Sequence, residues 1–271
     1  MKIENLWLIA GMLAAAGLPL TAAAGICLAG KNECTVDAAS LSPTMQKSGG
    51  AMEAVASAKP SRLKKPDIVA INKSPEGQTY GRWAVEWWQW AVGIPGAVNP
   101  VADTTGEHCA QRQVGDVWFL AGSFSSAPVV RDCDVPVGKS LFFPLINTIY
   151  GAFLNDPLET RTEEYARAAG SCSVPANISV QIDGFGVFKP TKYFTGASGS
   201  QSPIFNVQLP PGNVFGLYET AANELVLSPS AEQGYYLFVE PLSVGSHTIR
   251  LIASGCTPGG SQDITYNLTV Y

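Results

Sequence analysis

Through the C-terminal third of the chain, apolar and polar residues alternate with a period of two. Ile178, Val180 and Ile182 are separated by Ser179 and Gln181, and the run ends at Asp183-Gly184, a pair suited to the positive φ angles of a tight hairpin turn. Ile264, Tyr266, Leu268 and Val270 alternate in the same way with Asp263, Thr265, Asn267 and Thr269. The stretches from Tyr235 to Val239 and from His247 to Ala253 flank a connection containing Pro241 and Gly245. Such alternation predicts antiparallel strands with one buried and one wet face. Upstream, apolar residues come in short continuous runs, Val117 to Leu120, Pro128 to Val130 and Leu141 to Ile146, which read as buried strands. The predicted fold is mainly β, an antiparallel β-sandwich or jelly roll with one Trp-rich helix and a second surface helix.

The first helix is predicted from about Thr79 to Val92, stopped by Gly93 with Pro95 just beyond. On a 3.6-residue period Tyr80, Trp83, Trp87 and Trp90 share one face and Arg82, Glu86 and Gln89 another, so the aromatic face is expected in the core. Trp88 lies about 140° round from Trp83, where an indole can reach the surface and stack on a sugar or another apolar ligand; the alternative is a flank of the core. A second helix is expected from about Leu158 to Ala169, polar enough for the surface, as a crossover or a lid. Pro66 to Ile71 offers a short strand, and Ser74-Pro75-Glu76 a helix start.

The N-terminus changes the picture. Lys2 precedes an uncharged, mostly apolar run from Leu6 to Leu20, followed by Thr21-Ala22-Ala23-Ala24, the small residues behind which a signal peptidase cleaves. Residues 1–24 are read as a signal peptide, 25–65 as a flexible lead-in rich in Ala, Ser, Gly and Lys, and 66–271 as a single β-sandwich-like domain. The alternative is an uncleaved anchor, the one case in which the membrane becomes a partner. Secreted, periplasmic or cell-surface localisation follows. All six cysteines lie beyond Ala24, and an even number in an exported chain points to disulfides. Six cysteines permit fifteen pairings, among which sequence alone does not choose; the working hypothesis is Cys27–Cys34, Cys109–Cys133 and Cys172–Cys256, the first two local and the third tying the mid-chain helix to the late sheet.

The net charge of −5 leaves no basic field for a nucleic acid. Lys59, Arg62, Lys64 and Lys65 form a basic cluster in the lead-in, either a solvated linker or a patch for an anionic partner.

Tyr80 to Pro100, with Trp83, Trp87, Trp88 and Trp90 spaced W-x-x-x-W-W-x-W, is followed by Asp103 to Cys109, by Val117-Trp118-Phe119-Leu120-Ala121-Gly122 and by Arg131-Asp132-Cys133. This succession, extended through Val135 to Lys139 and Phe142-Phe143-Pro144, resembles a family of uncharacterised exported prokaryotic proteins. The resemblance implies export and brings no catalytic residues. Pro241 to Ile249 is similar to the penultimate hairpin of many immunoglobulin-like bacterial modules, which implies structure rather than activity.

With His108 and His247 as its only histidines the chain cannot build a three-histidine metal site, and no zinc-protease, nucleophile-elbow or P-loop pattern is present; no metal or cofactor is expected. His247 alternates with Ile249 and Leu251, as a structural histidine does. Glu86, Asp103, Glu107 and His108 are the candidates for acid–base chemistry, because a glycoside hydrolase needs two carboxylates and benefits from nearby tryptophans. The function expected is a secreted or cell-surface binding module for an unknown extracellular ligand, with carbohydrate as one class. A carboxylate-based hydrolase acting on a polymer and a structural envelope protein are the alternatives, so whether the chain is an enzyme stays open.

Overall fold

The computed structural model describes residues 64–125, 127–217 and 225–271. The signal segment, nearly all of the lead-in and the expected Cys27–Cys34 bridge lie outside the described residues. Among the described residues nine strands form two sheets: β1 (Val117–Phe119), β2 (Val129–Val135), β3 (Ser140–Gly151), β4 (Val174–Ile182), β5 (Phe185–Gly186), β6 (Phe205–Gln208), β7 (Val226–Val239), β8 (Gly245–Cys256) and β9 (Ser261–Val270). One sheet runs β1-β3-β7-β6 and the other β2-β9-β8-β4-β5, so the protein is a mainly β, sandwich-like fold. Most pairs are antiparallel, but β1 runs parallel to β3 and β2 parallel to β9.

The alternation read in the sequence is a burial pattern. In β9, Gln262, Ile264, Tyr266, Leu268 and Val270 are buried and the residues between them are more open. β3 has no wet side at all: its twelve residues are all buried, which a strand covered on one face would not show. Two helices, α1 (Tyr80–Val92) and α2 (Glu163–Ala169), pack against β3 and β7, and β4, β8 and β9 of the other sheet also pack against β3.

Three local expectations are corrected. Strands β7 and β8 are not a hairpin: β7 pairs with β3 and β6, β8 with β4 and β9, and residues 240–244 cross from one sheet to the other. The Pro66–Ile71 segment forms a single bridge, Ile68 to Val239, rather than a strand, because only its end of β7 is open to it. The second helix begins only at Glu163, where the Thr162 hydroxyl accepts from Tyr165 N at 3.1 Å; residues Leu158–Thr160 form a separate 3-10 turn before that cap.

Helix α1 is buried nearly all round, with ten of its thirteen residues in the core. Gly81 lets it approach closely, since a Cβ there would lie 2.5 Å from the Ser200 carbonyl oxygen. The indoles are held by their single N–H donors: Trp83 to Pro75 O at 3.0 Å, Trp87 to Leu120 O at 2.9 Å, Trp88 to the Tyr236 hydroxyl at 3.1 Å and Trp90 to Gln111 O at 2.8 Å. Trp88, read as a candidate for stacking on a ligand, is 2% exposed and therefore cannot do so; the face on which the period placed it is covered by the sheet.

The Cys109–Cys133 and Cys172–Cys256 bonds of the hypothesised set are formed. Near the first of them, the buried guanidinium of Arg131 donates to the carbonyls of Asp103 (2.8 Å), Ala121 (2.8 Å), Gly122 (3.1 Å) and Val101 (3.4 Å) and to the Tyr266 hydroxyl (2.5 Å). Irregular segments without a ladder of their own are thus bonded to one cation on β2.

Trp118 is the contrast to the helix indoles, because its buried Nε1 has no partner. Replacing Trp87 by Phe keeps an aromatic ring but leaves the Leu120 carbonyl without its donor, whereas the same change at Trp118 removes an unsatisfied donor. W87F is expected to destabilise the fold by about 1–2 kcal/mol more than W118F, read from urea unfolding midpoints of the two variants. Equal losses would mean that ring volume alone sets the contribution.

Candidate functional site

The residues expected to carry acid–base chemistry are engaged locally. Glu86, on α1, accepts from Gln78 Nε2 at 2.7 Å. The Asp103 carboxylate accepts from Thr105 N (2.7 Å), Thr105 Oγ1 (2.8 Å), His108 N (2.9 Å) and Gly106 N (3.0 Å). Burial works to raise its pKa, but these donors outweigh burial and hold the carboxyl below its ordinary value. Asp103 therefore organises the loop that contains Glu107, which is exposed, and His108, which is half-buried. Among the described residues no hydrogen bond or ion pair links the side chains of Glu86, Asp103, Glu107 and His108 to one another; Asp103 meets His108 only through the backbone N–H. No cluster of three metal-ligating side chains occurs among the described residues.

The carboxylate that is perturbed most was not among them. Glu232 on β7 is fully buried, and burial raises its pKa to about 7 against the donors that favour its charge. Its Oε2 accepts from the Tyr236 hydroxyl at 2.8 Å and from Thr195 Oγ1 at 3.4 Å. Tyr236 in turn accepts from Trp88 Nε1 and, at 3.0 Å, from Asn147 Nδ2. Ser202 faces the carboxylate, yet neither its hydroxyl nor Glu232 Oε1 completes a hydrogen bond of ordinary geometry. The strand period could have found this residue, since counting back by two from Phe238 and Tyr236 reaches Gly234 and Glu232. A perturbed acid is a mark of an active site only where substrate can reach it. The cavity nearest this network, between Trp88, Asn147, Gly122 and Gln262, is about 10 Å³, no larger than one water.

A groove of about 300 Å³ does open to solvent, at the β5 edge of the second sheet. Residues Lys65 to Ile68 form one wall, the β4–β5 hairpin with Val187 and Phe188 another, and Lys192 and Tyr193 close it. The first wall is pinned to the core: Val69 N donates to Phe238 O and Glu240 N to Asp67 O, each at 2.9 Å, and Val69 O accepts from the Tyr80 hydroxyl at 2.6 Å. Tyr80 also stacks on Tyr193 at 6.3 Å, so the first residue of α1 supports two sides of the groove. Burial pushes the Tyr80 hydroxyl pKa well up, which keeps it a donor to Val69.

The hairpin wall is fixed by Asp183, whose φ of 53°, with 77° at Gly184, makes the tight turn. Its Oδ1 accepts from Thr248 N at 2.9 Å and its Oδ2 lies 2.7 Å from His247 Nδ1. His247 Nε2 donates to the Ser243 carbonyl at 2.7 Å, with Ser243 Oγ farther away at 3.4 Å. An imidazole N–H committed to a carbonyl is not available as a base toward that hydroxyl. The Asp183–His247 pair is a latch between the hairpin turn and the 240–247 crossover, the structural role the strand pattern predicted.

The groove combines two kinds of surface. Phe185 and Phe188 are 37% and 74% exposed, and the ammonium groups of Lys189 and Lys192 sit over the rings of Phe188 (5.2 Å) and Tyr193 (4.8 Å). Lys64 and Lys65 stand on the opposite rim, Lys64 paired with Asp67 at 3.0 Å. A wider depression of about 480 Å³ borders Gln89, Asn206 and Arg112, but Arg112 already donates to Gly93 O at 2.7 Å.

No family model matches the chain, and no curated protein does. Among solved structures, a cysteine protease inhibitor from Entamoeba histolytica is similar at 14% identity, over 52% of this chain and 86% of that one, with a TM-score of 0.18. A likeness at that level carries no argument about fold or function.

The buried acid sets a pH dependence. Below pH 4.5 Glu232 is protonated in both folded and unfolded chains; between 4.5 and about 7 the unfolded chain ionises first, and stability falls by about 3 kcal/mol before levelling off. E232Q keeps an acceptor for Tyr236 and has no charge to desolvate. The variant is expected to be more stable than the parent at pH 8 and equal to it near pH 4, in urea unfolding across that range. A constant difference between the two proteins would assign Glu232 no titrating role.

Proposed function

We propose that the protein is an exported binding module that holds an anionic ligand in the groove between residues 65–68 and the β4–β5 hairpin. The observation that carries this reading is the grouping of Lys65 and Lys192 on the groove's walls, with Lys189 over the exposed Phe188 ring and Lys64 next in sequence to Lys65, on a chain whose net charge is −5. Lysines separated by more than a hundred residues in sequence face one another across the groove, with Asp67 and the neighbouring Glu240 as acidic counterweights. The opposing residues do not cancel the excess, and a phosphate, carboxylate or sulfate group next to an apolar surface is the chemistry such a rim selects. Export is supported by the signal-like N-terminus together with the two disulfides, which belong to an oxidising compartment. Membership of the exported prokaryotic family with the W-x-x-x-W-W-x-W helix is part of the same proposal. The hydrolase alternative is weaker, because its four side chains are not joined and Asp103 is occupied with its own loop.

The test is binding of the purified protein to soluble polyanions and neutral polymers of matched size. Dextran sulfate is expected to be retained and dextran not, with affinity falling as salt rises. Reversing charge with K65E and K192E together, both exposed, is expected to weaken binding by roughly tenfold or more. Equal retention of charged and neutral polymers, or a double variant that binds like the parent, would remove the groove from the function.

A further inference from the structure

We infer that the groove face docks on an anionic lipid bilayer, the β4–β5 hairpin entering the headgroup region with Phe185 and Phe188 while the surrounding lysines meet lipid phosphates. This rests on the anion-binding reading and names the surface that supplies the anions.

Three observations select a bilayer. First, the chain has eleven phenylalanines, and the two that are exposed, Phe185 and Phe188, stand on the same hairpin. Phe188, on the hairpin wall of the groove, is 74% exposed, and a headgroup layer can surround a ring that stands open to solvent. Second, the lysines encircle the rings. Lys189 carries its ammonium over the Phe188 ring and Lys192 over Tyr193, with Lys64 and Lys65 across the groove. Aromatic rings below and ammonium groups at phosphate level is the vertical order of a membrane interface. Third, the chain enters the described domain at Lys64, on the groove's own rim, and 63 residues including the apolar run from Leu6 to Leu20 precede it. Lys64, the first described residue, adjoins the groove-lining Lys65, which is where a tether to a bilayer would join the domain.

The hairpin is built to keep that presentation. Asp183 and His247 latch its base, Val187 N donates to Val180 O at 3.0 Å, and Lys189 takes a φ of 47° just before Pro190, which turns the chain away behind Phe188.

Cosedimentation of the full-length protein with phosphatidylcholine vesicles, with or without a minor fraction of phosphatidylglycerol, tests the inference, with dextran sulfate as the soluble anion. The parent is expected to pellet with the phosphatidylglycerol vesicles only. F188S, at an exposed position, is expected to bind those vesicles roughly tenfold more weakly and dextran sulfate as well as the parent. K65E/K192E is expected to lose both. A parent that binds dextran sulfate but not the vesicles, or an F188S variant with unchanged vesicle binding, overturns bilayer docking and leaves the anion site standing. F188S losing dextran sulfate as well as vesicles also overturns it, making the ring part of a polymer site. Binding to neither probe overturns both readings.

Discussion

A buried indole has one donor and no acceptor, and the fold is organised around meeting that demand four times on one helix. Trp83, Trp87, Trp88 and Trp90 donate to Pro75, Leu120, Tyr236 and Gln111, four separate segments of the chain. Because each N–H direction is fixed by a ring already packed in the core, each bond sets the position of the segment that receives it. Tyr80 extends the same logic at the first residue of the helix, accepting from Phe238 N and donating to Val69 O. The groove wall at residues 65–68 is therefore positioned by a helix that never reaches the groove's opening.

Three ionisable groups inside the fold are handled in three ways. The Arg131 guanidinium faces carbonyl oxygens and a hydroxyl, with no carboxylate among its hydrogen-bond partners in the described residues, so it holds loops together without an ion pair. Asp183 is matched to His247 and to Thr248 N, which places a charge-capable pair beneath the hairpin turn. Glu232 has no cation in contact and is held near neutrality by burial, with Tyr236 as its main donor. The Asp183 pair sits next in sequence to Ile182, which lines the groove, so it is the one of the three that fixes the hairpin wall.

The strands, the long helix and two disulfides were legible because each follows from local periodicity or an even count of cysteines in one chain. What the sequence concealed follows from what covers what. Trp88 is buried because β7 closes on it, its Nε1 donating to the Tyr236 hydroxyl, and a helical wheel knows only the helix. Arg131 alternates with Val129, Cys133 and Val135 on the inner face of β2, so its burial was readable once the strand was extended; its partners, in loops 28 and 10 residues upstream, were not. The groove was half visible. Lys64 and Lys65 stood out as a basic cluster, but Lys189 and Lys192 join them only through the Ile68–Val239 bridge and the turn at Pro190.

The groove's place at a sheet edge is itself a consequence of how that edge ends. An edge strand left long and flat would recruit another chain. Here β5 is two residues long, and the ladder cannot continue because Lys189 adopts a left-handed conformation and Pro190 has no N–H to donate. Ending the ladder so early leaves the residues after β5 without a strand to shelter them, and in most such edges polar residues occupy those positions. Phenylalanine at 188 runs against that rule, since burying its ring elsewhere or replacing it would remove an exposed apolar surface worth about 2 kcal/mol. Nothing in the packing of the core requires Phe188: it is 74% exposed, and its ring contact is the Lys189 ammonium. An apolar residue that the core does not use, on a hairpin held at its base by Asp183 and His247, is free for the contact the proposed docking asks of it.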